Sequence, residues 1–152
     1  MKHLANSTLV VILSLFTVVT FAQQKLSAKP ALFKSFPNTI LCKEAELNEP
    51  FTAVKGKNVT LKFSGTSYFS GEVINNVTKS KSLQYLSVRL ANLDNAVLAL
   101  TKRVDEKNNV FYVGHIINPK NSDAFELRKM KDGSYQFVKI DLDKLLPACS
   151  PE

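Results

Sequence analysis

The sequence predicts a mainly β protein: a single antiparallel sandwich or small barrel of about seven strands with one short N-terminal helix. Three observations carry this. From Asn58 onward apolar residues recur at every second position, the period of a half-buried strand. The apolar segments are joined by short polar turns, too short for the helical crossovers a parallel sheet requires. Good helix formers gather in one place ahead of the strands, just before Pro50.

The elements follow in chain order. Lys2 and His3 precede an apolar run from Leu9 to Ala22, which ends in the small residues Thr20 and Ala22 before Gln23. That layout predicts a secretory signal peptide over residues 1–22, with an apolar core shorter than the roughly 20 residues a membrane span needs. The expected location is therefore periplasmic or extracellular. Residues 23–37 hold two prolines and no sustained period, and read as a flexible leader in which Phe33 and Phe36 form a three-spaced apolar anchor. A single β-rich domain is expected over residues 38–152.

Within that domain Thr39–Leu47 reads as a short helix stopped by Pro50. Val59, Leu61 and Phe63 alternate with polar residues in a first strand. Tyr68–Ile74 reads as a second, with Asn75-Asn76 as its turn. Leu83–Ala91 is a third, carrying Leu86, Val88 and Leu90 on one face and Tyr85, Ser87 and Arg89 on the other. Asn92–Asn95 turns the chain into Ala96–Val104, and Asp105–Asn109 leads into Val110–Ile117, which is apolar on both faces. Ala124–Met130 and Tyr135–Ile140 flank the turn Lys131-Asp132-Gly133. A final helical turn over Asp141–Leu146 is stopped at Pro147.

Removing residues 1–22 from 152 leaves 130, room for one core, and eight of the ten phenylalanines remain in it. The charge then falls from +7 to +6, because Lys2 is the one charged residue of residues 1–22. This modest positive balance suits an exported protein or an anionic glycan or lipid surface, and export argues against nucleic acid. Cys42 and Cys149 stand near the two ends of the domain, and in an oxidising compartment an even pair predicts a disulfide. Closing so long a loop is worth at most about 4.7 kcal/mol in the chain-entropy model.

No nucleophile elbow, phosphate-cradling glycine loop or zinc-binding histidine pair is present, so no catalytic residue, cofactor or metal ligand is assigned. His115, the one histidine after the leader, lies on the same side of its strand as Phe111, Val113 and Ile117, and reads as a neutral imidazole at the core edge. Asp141 and Asp143 read as a solvated strand exit. Lys62, Tyr85 and Arg89 point to the polar sides of their strands. A shared outer face gathering them, with Tyr85 and Arg89 as a stacking and bidentate pair, is the strongest candidate binding surface. Asn58-Val-Thr60 and Asn76-Val-Thr78 match the glycan-acceptor pattern.

The strand words Tyr68–Val73, Ser87–Leu90, Phe111–Gly114 and Tyr135–Phe137, in that order, resemble the pro-domains of exported metalloproteases. The resemblance covers about half of the chain after the leader, in generic strand segments. It implies a small antiparallel unit that binds another exported protein. The reading that follows is an exported, non-catalytic β domain that binds a macromolecule through one sheet face or edge. The alternatives are a small-barrel carrier of an apolar ligand and a hydrolase with a site around His115.

Overall fold

The computed structural model describes residues 29–63 and 67–145. The expected signal peptide and Cys149 lie outside the described residues. Eight strands form one antiparallel sheet: β1 (Thr39–Cys42), β2 (Asn58–Phe63), β3 (Ser67–Ser80), β4 (Leu83–Leu90), β5 (Ala96–Val104), β6 (Val110–Ile117), β7 (Asp123–Lys129) and β8 (Tyr135–Asp141). Two short helices, α1 (Glu44–Asn48) and α2 (Leu142–Leu145), and a 3-10 turn over Glu49–Thr52 complete it.

The strand order is β1-β8-β7-β6-β5-β4-β3-β2, a meander from β2 to β8 with β1 added beyond β8. In that order β2 and β8 are six strand spacings apart, about 29 Å in a flat sheet. Yet the rings of Phe63 on β2 and Phe137 on β8 lie with centroids 5.4 Å apart. The sheet is therefore strongly curled, a half-barrel whose concave side holds the core.

Two departures from the sequence reading have local causes. Thr39–Cys42, expected to open a helix, forms β1 instead, because Ile40 and Cys42 alternate into the core while Thr39 and Leu41 face out. The helix begins only at Glu44, where the Glu46 carboxylate accepts the Lys43 backbone N–H at 2.9 Å. Asn75-Asn76, expected as a turn, lies inside β3, which passes through it with a register shift between Val73 and Asn75. Asn76 donates its amide to Phe51 O at 2.9 Å and Ala53 O at 2.7 Å, and accepts from Gln84 Nε2 at 3.0 Å. It pins the 3-10 turn to the sheet, a role opposite to the free acceptor its glycan motif suggests.

The described part of the expected flexible leader is packed. Phe33 is buried against Phe125, centroids 4.9 Å apart, and Phe36 stacks on Phe69 at 5.9 Å. Asp123 accepts the backbone N–H groups of Leu32 at 2.6 Å and Phe33 at 2.9 Å. This strap, with Phe63, Phe69 and Phe137, fills the concave side, so the core contains two aromatic residues from ahead of the first strand.

The expected bridge is not formed in this structure. Cys42 carries a free thiol, buried in the core, with Sγ 3.5 Å from Ile40 O. Cys42 pairs with Tyr135 at the start of β8. The described chain leaves the sheet at the other end of that strand, about 20 Å along it. Burial pushes the thiol up to about 12, with Glu46 adding to the rise.

Candidate functional site: the outer face of the sheet

Antiparallel register places directly paired residues on one face, so the outer surface can be read row by row. One row crosses Val97, Ile117, Ala124 and Ile140 on β5 to β8. The next crosses Ser87, Ala99, His115, Glu126 and Val138. A third holds Tyr85, Thr101 and Val113. A sheet with one solvated face alternates apolar-in and polar-out; here the outward positions of β5 to β8 are largely apolar as well. Val113 is 42% exposed and Leu41, outward on β1, 53%.

Ala99 and Ala124 form the floor of a depression in this face, since their methyl groups leave room between larger neighbours. The resulting open cleft has a volume of about 520 Å³ and is bordered by Tyr85, Val113, His115, Ile117, Ile140 and Leu142. The first residue of α2 enters that border because Leu142 N–H bonds Ser122 O at 2.7 Å, folding the chain back over the β6–β7 connection. Polar groups stand mainly on the side of Tyr85, Thr101, His115 and Glu126; the opposite side is aliphatic.

Two arginines of this face are paired with carboxylates, while Arg103, outward on β5 and exposed, forms no ion pair among the described residues. Arg128 donates Nε to Glu126 Oε2 at 2.7 Å and brings Nη2 to 2.6 Å from the same oxygen. Arg89 stands 4.0 Å from Glu72 across β3 and β4. Both pairs are about half exposed and contribute little to stability. Their consequence is neutrality at those two places, beside an uncompensated Arg103.

Lys62, Tyr85 and Arg89, expected to share an outer face, lie on it at separate places, and His115 lies on it as well. Tyr85 and His115 border the cleft. Arg89 lies on the same face, but four residues along β4 from Tyr85, about 13 Å, and its partner is Glu72 rather than the tyrosine. Lys62 sits on β2, with Nζ 5.9 Å from the Tyr68 ring centroid. His115 is exposed on the outer face, not set at the core edge; the inward residues of β6 are Tyr112 and Ile116. Its cross-strand neighbours are Ala99 and Glu126, and that carboxylate is already engaged by Arg128.

Ile117, Ala124, Ile140 and Leu142 are the residues the sequence reading missed. Their signal was the two-sided apolar pattern of β6, which shows a strand with two faces to cover. Reading the outward positions of β5, β7 and β8 together with it would have outlined the face.

A second, more polar opening of about 730 Å³ lies where β6 and β7 part. Their ladder ends at Gly114 and Leu127, although β6 begins at Val110. Tyr135 reaches from β8 into the gap, its hydroxyl accepting the Tyr112 backbone N–H at 3.2 Å. The Tyr112 hydroxyl donates to Asn48 Oδ1 at 3.1 Å, and burial, helped by Glu44 and Tyr135, pushes that phenol up to about 12.

Among the described residues no group of histidine, cysteine and carboxylate side chains is placed to hold a metal ion, and no helix is long and apolar enough to cross a membrane. Comparison with protein-family models, with curated proteins and with solved structures finds no match to this chain.

Proposed function

We propose that this is an exported, non-catalytic β domain that docks another protein against the outer face of β5 to β8. One observation carries the reading: the sheet already buries its concave side, yet its outer face presents an open, mostly apolar cleft over Ala99 and Ala124, with polar groups along one side. Exposed apolar patches of that kind on small domains mark interaction surfaces. Arg89 and Arg128 on this face are matched by Glu72 and Glu126, which leaves Arg103 at one end of β5 as its unpaired arginine among the described residues and favours an apolar protein surface at the cleft over an anionic polymer. The aromatic filling of the concave side weighs against an apolar ligand carried inside.

A photo-crosslinking residue at Val113, with one at Lys62 as control, tests the proposal in extracts of the source's envelope and medium. The captured protein is then purified, and its affinity is measured for the wild type and for Ile117→Lys. The expected result is a specific adduct from Val113 but not Lys62, at least tenfold weaker binding by the variant, and little change between low and high salt. Equal adducts from both positions, or affinity that falls steeply with salt, would contradict it.

A further inference from the structure

Away from the outer face, a small niche opens on the inward side of the β3–β4 hairpin, beside the segment that caps that end of the half-barrel. Its volume is about 200 Å³. Thr78 and Ser80 come from the end of β3, Lys81 and Ser82 from the turn, and Gln84 and Lys102 from β4 and β5. Register explains the convergence: Gln84 lies directly between Thr78 and Lys102 across the three strands.

Lys81 and Lys102 line the niche, and no carboxylate residue does. Neither Lys81 nor Lys102 forms an ion pair among the described residues. Lys102 is half-buried, and Nζ donates to the neutral Asn48 Oδ1 at 2.7 Å. That oxygen also accepts from Tyr112, which fixes its position. An ammonium whose protein partner is only a neutral amide oxygen keeps an unpaired charge, and a mobile anion is its natural complement.

The hydroxyls fit the same ligand. Ser80 Oγ and Ser82 Oγ lie 3.1 Å apart, so one donates to the other and one O–H remains to point outward. The Ser82 backbone is itself fixed, its N–H on Ser80 Oγ at 3.3 Å and its carbonyl accepting Val104 N–H at 2.9 Å. Two lysines and three hydroxyl residues, Thr78, Ser80 and Ser82, thus border one niche without a carboxylate, a lining that suits an oxyanion.

We propose that this niche binds a small tetrahedral oxyanion, either free or as the phosphate or sulfate group of a larger molecule. The site is independent of the outer face and of whatever docks there.

The test is a titration of the mature protein with inorganic phosphate and, separately, inorganic sulfate, followed by amide and side-chain NMR. Sodium chloride at matched ionic strength is the reference. Saturable shifts confined to Thr78–Gln84 and Lys102 are expected, weakened about tenfold by Lys81→Gln and by Lys102→Gln, and unchanged by Lys144→Gln. Lys81 makes no contact with Asn48, so its variant reports on the anion even where Lys102→Gln loosens the cap. Preference for either anion supports the site, and stronger binding of a phosphorylated or sulfated sugar than of the free ion identifies the larger source. Shifts that match those in chloride, or that survive Lys81→Gln undiminished, would overturn it.

Discussion

Tyr135 shows how one side chain repairs a fault in the sheet. Its ring is buried, and its hydroxyl satisfies the Tyr112 N–H where β6 has lost its neighbour. Tyr135→Phe keeps the packing but leaves that buried donor unpaired, and we expect a loss of about 1–3 kcal/mol in urea unfolding. Cys42 offers a second residue-scale test. With the thiol buried and pushed up to about 12, alkylation at pH 8 should be very slow in the native protein and fast in denaturant without reductant. Resistance to alkylation even after denaturation would show that the sulfur is oxidised. Acid behaviour has its own local origin in two exposed turns. Asp105, through the Asn109 side chain and then the Asn109 N–H, and Asp132, through the Ser134 hydroxyl and N–H, are held below the ordinary carboxylate value. A carboxyl lowered on folding contributes stability above its unfolded value, near ~4, and loses it as pH falls through the lower folded value. Stability should therefore decline below about pH 4, and Asp105→Asn with Asp132→Asn should flatten that decline.

At the scale of elements, the ladders depend on close approach at two glycines. A Cβ on Gly71 would collide with the Arg89 carbonyl across β3 and β4, and one on Gly114 would stand 2.5 Å from Ala99 O. Gly71→Ala should therefore abolish the folded state or shift the β3–β4 register, visible as loss of the native spectrum. The strap makes a gentler prediction. Asp123→Ala removes two hydrogen bonds to a carboxylate, so a loss of about 1.5–3 kcal/mol and faster proteolysis after Lys34 are expected. Legibility differs by element for physical reasons. The strands from β4 to β8 were readable because period two and turn residues agree there, as at Gly133, whose φ of 86° suits glycine. β1 was misread because four residues cannot display a period, and Leu47, Glu44 and Glu46 beside them favour helix. The length of β3 was hidden by Asn75 and Asn76, turn formers by local preference that a bulge and the capping segment recruit instead.

At the scale of the whole molecule, curling the eight-stranded sheet divides its residues into a filled concave side and an outer face that carries a mostly apolar cleft over β5 to β8. The core was largely legible in the sequence, down to Phe33 and Phe36 as an anchor. The candidate site was legible only through Tyr85 and His115, because grouping by charge drew attention to Lys62 and Arg89, which the register sends to different neighbours. Small residues on a surface, Ala99 and Ala124, carry no signal until the rows beside them are known. The most direct measurement is a methyl-resolved NMR titration of this protein with the partner captured from Val113. The outward methyls of Val97, Val113, Ile117 and Ile140 should shift together, while the inward methyls of Leu86, Val88 and Leu98 stay in place. Shifts confined to the inward set, or spread over Thr60 and Val77 on the far strands, would contradict it.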